Sequence, residues 1–412
     1  MLERNITNAL LSGLSDTPVV LLQGPRQSGK STLVSWLAEK KRRATYFTMD
    51  DAGVLASATR DPDAFIRANT EPVVIDEVQL VPDLFRAIKL EVDRRRAPGR
   101  FLLTGSANVL LVPKVSESLA GRMEILTLWP FSVGELASVR EGFVDRVFGR
   151  ERADAWPIRD APRGDFVKRM LIGGYPEVTQ RPEADRRRAW FASYITTILQ
   201  RDVRAMADIE GLAVLPRMLS MLAAQSGGLL NAAELARDAG FSVPTTKRYL
   251  TLLQATHLYQ PLHSWSGNVR KRLIKAPKVY LNDTGLLSYL MGWSGDQLAG
   301  VSANTGRLLE SFVCQELRKQ ITWSGTKPAL YYYRTAGGRE VDFVLEDQGG
   351  RIVGIEVKAA VKLSGDDVKG LEDLAATMGK RFHAGVVLYQ GSTVIPFGPM
   401  CWAVPLGTMF AE

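Results

Sequence analysis

The sequence contains few of the residues that build disulfide frameworks or metal centres, with two cysteines and three histidines among 412 residues. Cys314 and Cys401 are too few for a disulfide scaffold or a cysteine zinc site, and such scarcity is typical of a reducing compartment. No apolar run approaches the roughly 18 residues of a membrane span. The first four residues also lack the basic-then-apolar order of a signal peptide. We therefore expect a cytoplasmic protein that does not insert into a membrane.

The composition that remains is that of a folded protein of two or three domains. Apolar residues make up 46% and charged residues 23%, which excludes a mainly disordered or fibrous chain. Lysine and arginine number 52 against 44 aspartates and glutamates, so the net charge is +8. This excess favours a polyanionic partner such as nucleic acid, although many basic proteins bind none.

Short apolar runs alternate with segments of helical spacing over about the first 130 residues. The runs span residues 18–23, 44–49, 72–75 and 100–104. Strands that alternate with helices predict a parallel sheet covered on both faces, so we expect a doubly wound α/β domain. The segment 149–164 is rich in charge and proline and is interpreted as a linker or surface excursion.

Residues 231–258 have the proportions of a helix-turn-helix, with a turn at Gly240 and Ser242 as the N-cap of the second helix. The basic segment 268–278 and the strand after it would form the wing of a winged helix. We expect DNA contacts from Thr245, Thr246, Lys247, Arg248, Arg270, Lys271, Arg272 and Lys275. Winged helices also bind proteins, and the sequence leaves both options open. Beyond Gly292 the predicted order αβββαβ indicates a second α/β domain.

A phosphate-binding motif lies between the first apolar strand and the helix that follows it. The pattern G-x-x-x-x-G-K-[ST] is met by Gly24, Pro25, Arg26, Gln27, Ser28, Gly29, Lys30 and Ser31, and Thr32 is included as the next helical residue. A glycine-bounded loop turns backbone N–H groups inward at the positive end of the helix dipole, which suits the phosphates of ATP. Lys30 would reach the β- and γ-phosphates, and Ser31 would coordinate Mg²⁺.

Two carboxylates, Asp76 and Glu77, follow an apolar strand at the edge where open α/β sheets bind ligands. Asp76 is placed to hold Mg²⁺, and Glu77 is placed to polarise the water that attacks ATP. Taken alone, an Asp-Glu pair after a strand is more often a helix N-cap. Ser106 and Asn108, at the tip of the next apolar strand, are expected to sense the γ-phosphate.

Arg122 lies in a segment beyond the last predicted core strand and is a candidate arginine finger for a neighbouring subunit. That role requires a homo-oligomer. The alternative is a surface arginine paired with Glu117 or Glu124, and the residues alone leave the two interpretations about even.

A second carboxylate cluster is predicted near the C-terminus, where the spacing D-x13-E-x-K joins Asp342, Glu356 and Lys358. Glu356 and Lys358 face one side of their strand, and a hairpin turn would bring Asp342 beside them. Asp342 and Glu356 would hold Mg²⁺ or Mn²⁺ while Lys358 activates the attacking water, with Glu310 on the preceding helix as a fourth member. The alternative is an exposed hairpin with cross-strand ion pairs.

The order of motifs GPRQSGKST, VVIDEVQ, LLTGSAN, SLAGR, LIGGYPEV and YLNDTGLL resembles that of the prokaryotic AAA-type ATPases that carry a C-terminal domain of unknown function. The resemblance covers nearly the whole chain and assigns the finger role to Arg122. It implies an AAA core over residues 1–148, a helical lid over 165–227, a winged helix over 228–291 and a restriction-endonuclease-like domain over 292–412. The D…ExK cluster in that last domain is similar to the site of PD-(D/E)XK nucleases.

Two functions of different classes follow from these patterns. The first is an oligomeric ATPase that couples ATP hydrolysis to DNA binding or processing by a nuclease-like domain. The second is a nucleotide-switched module whose C-terminal domain only binds nucleic acid or protein. An ATPase that acts purely on proteins is a third option.

Overall fold

The N-terminal third of the computed structural model is a five-stranded parallel sheet between two layers of helices. The structure describes residues 2–106, 119–159, 163–204, 212–268, 270, 272, 275–298, 303–335 and 337–412. The strands are β1 (Val19–Gln23), β2 (Thr45–Thr48), β3 (Val73–Asp76), β4 (Phe101–Gly105) and β5 (Met123–Thr127). The helices are α1 (Thr7–Asp16), α2 (Lys30–Lys40), α3 (Ala52–Arg60), α4 (Pro62–Ala68) and α5 (Leu84–Arg94). The strands lie in the order β2-β3-β4-β1-β5.

The interior strand β1 shows how this sheet is covered on both faces. Val19 and Leu21 pack in a cluster with residues of α3, α4 and α5, whereas Val20 and Leu22 pack in a second cluster with α1 and α2. Successive side chains of a strand point to opposite faces, so a strand buried on both sides reads as a continuous apolar run. The predicted doubly wound α/β fold is confirmed.

The edge strand β5 was not expected from the sequence. Only Leu126 among its five residues is buried, so the strand has a weaker apolar pattern than the interior strands. Arg122 lies directly before this strand, and its carbonyl oxygen accepts a hydrogen bond from Val19 N at 3.3 Å. The expectation that Arg122 lies beyond the last core strand was therefore wrong.

A helical region follows the sheet and leads into a pair of helices with a two-stranded hairpin. The helices are α6 (Val133–Leu136), α7 (Phe143–Arg146), α8 (Arg163–Ile172), α9 (Pro176–Thr179), α10 (Ala184–Thr197), α11 (Leu215–Ala224), α12 (Ala232–Ala239), α13 (Val243–Ala255) and α14 (Thr284–Met291). A π-helix at Ile198–Val203 continues α10. Strands β6 (Tyr259–Leu262) and β7 (Lys278–Leu281) pair antiparallel between α13 and α14.

The turn between α12 and α13 has the predicted geometry. Gly240 has φ 76° and ends α12, a conformation that glycine adopts without the cost of a Cβ atom. Ser242 caps α13, since its side chain accepts a hydrogen bond from Thr245 N at 3.3 Å. Both sequence-based assignments are confirmed.

The C-terminal region is a mixed six-stranded sheet with a helix before it and a helix within it. Its elements are α15 (Ala303–Trp323), β8 (Ala329–Arg334), β9 (Glu340–Glu346), β10 (Ile352–Lys358), α16 (Lys369–Met378), β11 (Phe382–Tyr389), β12 (Ile395–Pro396) and β13 (Cys401–Pro405). The strand order is β12-β13-β11-β10-β9-β8. The predicted αβββαβ order is present, and the last two strands extend the sheet beyond it.

The segments after the parallel sheet share a hydrophobic core that runs from Val133 to Phe410, and a second cluster packs α16 against the C-terminal sheet. Most of the described residues 149–159 are exposed, which agrees with the predicted surface excursion at 149–164. Ala153 and Trp156 anchor this segment in the core, and Arg159 N donates to Gly407 O at 3.3 Å. The four predicted domain boundaries stay predictions. Among the described residues, no helix is both long and apolar enough to cross a bilayer.

Candidate functional site

The phosphate-binding motif forms the turn between β1 and α2, as its position in the sequence predicts. Gly24 has φ 151°, and a Cβ atom on it would lie 2.2 Å from Leu128 O, so the loop passes too close to its neighbour for any side chain. Gly29 has φ 94° and precedes the first residue of α2 without a capping side chain. The amino end of this helix is therefore left for an anion.

Lys30 is buried beneath the loop and is held by the loop's own backbone. Its Nζ donates to Gly24 O at 3.0 Å and to Pro25 O at 2.9 Å. Burial lowers the pKa of Lys30 to about 8, although Glu77 and Asp76 oppose that shift. Two neutral carbonyls compensate an ammonium group less well than a phosphate does, so Lys30 favours the arrival of an anion.

Ser31 and Asp76, which come from different elements, lie side by side. Ser31 Oγ donates to Asp76 Oδ1 at 3.0 Å, and Tyr46 Oη donates to Asp76 Oδ2 at 2.9 Å. Thr104 Oγ1 also donates to Asp76 Oδ1. The hydroxyl and the carboxylate thus face one point at the carboxyl edge of the sheet, and both are oxygen ligands that Mg²⁺ accepts. Tyr46 and Thr104 were not predicted for this site.

Glu77 has φ 56°, an uncommon conformation for a non-glycine residue, directly after β3. Its backbone N–H donates to Thr104 Oγ1 at 3.0 Å. Its Oε2 accepts a hydrogen bond from Ser106 Oγ at 2.9 Å and another from Gln79 Nε2. Ser106 therefore holds Glu77 in the described arrangement, and Asn108 lies outside the described residues.

The loop residues fit a nucleotide and its metal ion. Ser28 Oγ is buried and has no hydrogen-bond partner among the described residues, so the loop contains a polar atom that its own contacts leave unsatisfied. Of the remaining motif residues, Arg26 is partly buried, Gln27 has φ 64°, and Thr32 is exposed. The glycine cradle, Lys30 and the Ser31–Asp76 pair together are the donor set that a magnesium–triphosphate complex requires.

Helices beyond the sheet also contact the loop, which the sequence did not predict. Arg26 Nε lies 3.0 Å from Asp202 Oδ2 on the π-helix. Tyr194 Oη donates to Arg26 O at 3.2 Å and lies 2.7 Å from Tyr175 Oη. Asn282 Nδ2 donates to Tyr175 Oη at 2.7 Å. A buried hydrogen-bond chain therefore runs from the residue after β7 to the phosphate loop.

The side chain of Asp283 holds these hydrogen-bonded residues in place by its close contact with the turn at Gly173 and Gly174. Gly174 N donates to Asp283 Oδ2 at 2.7 Å, and a Cβ atom on Gly173 would lie 2.2 Å from Asp283 Oδ1. The motifs LIGGYPEV and YLNDTGLL therefore meet in space. Tyr175 and Asn282 belong to these two motifs, so the motif order could have indicated that they are part of the site. Tyr194 and Asp202 belong to neither motif, and no sequence pattern indicated them.

Arg122 lies at the amino ends of the parallel strands, whereas the phosphate loop lies at their carboxyl ends. β1 and β5 run parallel with Val19 opposite Met123, and the loop follows the other end of β1. Arg122 Nε lies 2.6 Å from Asp93 Oδ1 at the surface. The suggested partner Glu117 lies outside the described residues. The arginine-finger role stays a prediction. In that role, Arg122 would contact the nucleotide of a neighbouring subunit.

The second predicted cluster is also brought together. Asp342 Oδ2 accepts a hydrogen bond from Val357 N at 2.9 Å, which joins β9 to β10 beside Glu356. Lys358 Nζ lies 2.9 Å from Glu356 Oε1. Glu310 approaches from α15, and burial, Glu356 and Glu310 together raise the pKa of Asp342 well above its ordinary value.

A lysine that the sequence did not place in this cluster lies inside it. Lys278 Nζ, at the start of β7, lies 2.9 Å from Glu310 Oε1, 2.5 Å from Glu340 Oε1 and 3.6 Å from Asp342 Oδ1. Burial opposes the charged form, but the carboxylates of Glu310, Asp342 and Glu340 outweigh it and raise the pKa of Lys278. In the part of the chain that the structure describes, no group of three or more His, Cys, Asp or Glu side chains could hold a metal ion. The metal role of Asp342 and Glu356 stays a prediction that this arrangement does not favour.

The basic residues expected to contact DNA divide into two groups. Arg272 stacks on Trp265 and Tyr331 and pairs with Glu346 at 2.7 Å, and Lys275 Nζ donates to Arg334 O at 3.0 Å. Thr246 is fully buried, and Thr245 contributes to the α13 cap. These contacts are made within the protein itself. The exposed positions are Lys247, Arg248, Arg270 and Lys275, while Lys271 lies outside the described residues.

Comparison with known domain families divides the chain into three matched regions. An AAA domain matches residues 16–137. A domain of unknown function, DUF8612, matches residues 163–297, and a second one, DUF4143, matches residues 305–409. The nucleotide site falls in the first region and the Asp342 cluster in the third.

Two mycobacterial proteins are similar over nearly the whole length. They are the uncharacterized proteins Rv2008c of Mycobacterium tuberculosis and Mb2031c of Mycobacterium bovis, each 34% identical over 407 residues, which is 98% of this chain and 83% of each relative. Among solved structures, the Walker-type ATPase PABY2304 of Pyrococcus abyssi is 15% identical, with 71% of this chain and 96% of that chain covered and a TM-score of 0.43. A variant of RuvB from Thermotoga maritima is 20% identical, with 62% and 88% covered and a TM-score of 0.28.

Proposed function

We propose a function from the premise that this chain belongs to the family of Rv2008c and Mb2031c and carries the AAA domain of P-loop ATPases. It hydrolyses ATP in the presence of Mg²⁺ at the turn between β1 and α2. The observation that carries this proposal is the contact of Ser31 with Asp76 at 3.0 Å, directly beside Glu77. It joins the phosphate loop to the two carboxylates that hydrolysis needs.

Each residue of the site has a separate task in this mechanism. Lys30 exchanges its two loop carbonyls for phosphate oxygens, and Ser31 and Asp76 would hold the metal ion. Bound Mg²⁺ would neutralise charge on the β- and γ-phosphates. Glu77 accepts the proton of the attacking water, and Ser106 orients that carboxylate. Ser106 and Asn108 are proposed to contact the nucleotide near the γ-phosphate.

Release of inorganic phosphate from labelled ATP tests this proposal. Lys30→Ala removes the only lysine of the loop and should abolish tight ATP binding and phosphate release. Lys40→Ala is the matched control, since Lys40 is an exposed residue at the far end of the same helix. Wild-type protein that neither binds labelled ATP nor releases phosphate would refute the proposal.

The proposed role of Arg122 as an arginine finger requires the protein to form a homo-oligomer. Arg122 is far from the nucleotide of its own subunit, so it contributes only if a second copy places its phosphate loop against that edge of the sheet. Arg122→Ala should then lower ATP turnover without lowering ATP affinity. Mixing Arg122→Ala with Glu77→Gln subunits should restore part of the turnover, because each variant lacks a different half of the shared site.

DNA is the proposed partner of the ATPase. The net charge of +8 and the exposed Lys247, Arg248 and Arg270 around the helix-turn-helix support it. ATP turnover that rises with duplex DNA and falls back in Lys247→Glu would agree with this. Turnover that is indifferent to DNA would favour the ATPase acting on proteins.

The contacts of Lys278 favour a second candidate, in which the nuclease-like domain is inert and serves as a nucleotide-switched binding module. Metal-dependent plasmid cleavage that disappears in Asp342→Ala and Glu356→Ala would instead support DNA processing. If the domain processes DNA, Asp342 and Glu356 would hold Mg²⁺ or Mn²⁺, and Lys358 would activate the attacking water. The cytosol remains the expected compartment.

A further inference from the structure

Four partly buried carboxylates belong to one cluster of the C-terminal region, and three of them lie within 4 Å of one atom, Lys278 Nζ. Glu310 comes from the long helix α15, Glu340 and Asp342 from β9, and Glu356 from β10. All four are less than one-third exposed. Buried carboxylates need a compensating cation, whether a metal ion or a protein side chain.

The compensating cation is present, and it is a residue of this chain. Lys278 enters the cluster from β7, the second strand of the hairpin that follows α13, and its side chain is only 3% exposed. Its Nζ is within 4 Å of an oxygen of Glu310, Glu340 and Asp342. An ammonium group has three N–H donors, and here three acidic side chains are available to accept them.

A divalent ion does not fit beside this ammonium group. It would bind carboxylate oxygens at about 2.0–2.6 Å. An ion that bridges Glu310 Oε1 and Asp342 Oδ1 would therefore lie in the space that Nζ takes between the same two oxygens. Two cations in this space repel each other strongly, because the surroundings are buried.

Several other oxygens of the cluster are also engaged, although Glu356 Oε2 is buried and makes no hydrogen bond within the described part of the chain. Tyr280 Oη donates to Glu310 Oε1 at 2.5 Å, so strand β7 delivers a second donor two residues after Lys278. Asp342 Oδ2 accepts from Val357 N at 2.9 Å, and Glu356 Oε1 lies 2.9 Å from Lys358 Nζ. A metal ion would have to displace several of these contacts at once.

A second contact fastens the same hairpin to the same sheet. Arg272, in the connection between β6 and β7, makes two hydrogen bonds to Glu346 at the end of β9. Its guanidinium lies 5.1 Å from the Trp265 ring centre and 5.0 Å from that of Tyr331. The hairpin is thus attached to β9 at both ends of that strand, which keeps Lys278 in position.

We propose that Lys278 is the resident cation of this nuclease-like cluster and that it excludes divalent metal while β7 is docked on the C-terminal sheet. Strand β7 thereby closes the site. The inference is independent of ATP hydrolysis, because none of its residues contacts the phosphate loop.

Binding of Mn²⁺ to nucleotide-free protein, followed by electron paramagnetic resonance, tests the proposal. The site is defined as the Mn²⁺ binding that Asp342→Asn removes, which separates it from binding elsewhere. Wild type should show none, and Lys278→Gln should bind one ion per chain. Lys275→Gln is the matched control, since Lys275 lies on the same hairpin but donates only to a backbone carbonyl. It should behave as wild type.

A second measurement needs no variant at Lys278. Competitive acetylation of wild-type protein, read by mass spectrometry, should leave Lys278 unmodified while Lys275 reacts, with and without Mn²⁺. Equal labelling of the two lysines would overturn the proposal. So would Asp342-dependent Mn²⁺ binding or plasmid cleavage by wild type, or a Lys278→Gln protein that still binds ATP but gains no Mn²⁺ site.

Discussion

The two lysines Lys30 and Lys278 are buried to a similar extent, but the groups that surround their ammonium nitrogens differ. They are 4% and 2% exposed, respectively, and each lies near acidic residues. Lys30 donates to two backbone carbonyls of its own loop, and burial lowers its pKa to about 8. Lys278 lies among three carboxylates, and its pKa is raised in spite of burial.

This difference shows that the groups around a buried ammonium group determine whether it can bind an anionic ligand or only compensates charge within the protein. Carbonyl dipoles satisfy the hydrogen bonds of Lys30 but leave its charge poorly compensated, so an incoming phosphate improves its surroundings. The carboxylates around Lys278 compensate its charge fully, and no anion would gain by approaching it. The first lysine is available to a ligand, whereas the second is a structural counter-ion.

The largest expected effect is on stability. Lys278→Met should lower the apparent free energy of unfolding by about 3–5 kcal/mol, because it leaves buried carboxylates without their cation. Lys30→Met should cost less, about 1–2 kcal/mol, because it leaves two neutral carbonyls unsatisfied but also removes a poorly compensated buried charge. Urea unfolding of the two variants beside wild type measures both. Equal losses would remove the distinction between the two lysines.

The next effect concerns the carboxylate beside Lys30. Glu77→Gln should keep ATP affinity and lower turnover by about 10²–10⁴-fold, as expected for loss of a general base. Phosphate release under saturating ATP gives the turnover, and a labelled analogue gives the affinity. Glu71→Gln, an exposed residue before the same strand, is the control. Wild-type turnover in Glu77→Gln would mean that another group accepts the proton.

A smaller effect is expected from pH. Below pH 8 Lys30 is charged in the free protein, and ATP binding needs no proton; above it, binding must take up a proton because the phosphates raise the pKa of Lys30. The dissociation constant of a slowly hydrolysed analogue should therefore rise by up to about tenfold per pH unit above about pH 8. A flat profile would contradict the lowered pKa.

Lys30→Arg supplies the control for that titration. The guanidinium of arginine stays protonated over this range, so any remaining affinity should lose its dependence on pH. Lys278 should not contribute to this dependence, because the carboxylates around it raise its pKa instead of lowering it.

The smallest expected effect is on ATP affinity, when the hydrogen-bond chain that ends at the phosphate loop is interrupted. Tyr194→Phe removes the hydroxyl that donates to Arg26 O and contacts Tyr175 Oη. Loss of a buried hydrogen bond costs about 1 kcal/mol, so ATP affinity should fall about fivefold. Tyr289→Phe is a suitable control, because the Tyr289 ring stacks near Phe191 in the same core. An unchanged affinity would show that the chain does not support the loop.

Much of the first site could be predicted because its geometry is local. Residues 24–31 form one turn, and a glycine-bounded turn before a helix has few conformations. Asp76 comes from another strand, but parallel strands end at a common edge, so Ser31 and Asp76 were expected to meet. The edge strand β5 was not predicted, because it is only partly buried and its apolar pattern is weak.

The grouping of Asp342, Glu356 and Lys358 followed from the sequence for a similar reason. A two-residue alternation and a hairpin bring them to one face of a sheet. Nothing in that pattern pointed to Lys278, which lies 32 residues before Glu310 and enters from a different part of the fold. Tyr194 likewise lies 168 residues from Arg26, and no local pattern links them.

The amino-acid sequence by itself determined the phosphate loop, the carboxylates beside it and the faces of the strands, because backbone conformation and side-chain alternation depend on neighbouring residues. Only the tertiary structure decided which partners surround each buried lysine. Electrostatic energy depends on distances between atoms that packing brings together, and those distances leave Lys30 ready for a phosphate and surround Lys278 with carboxylates.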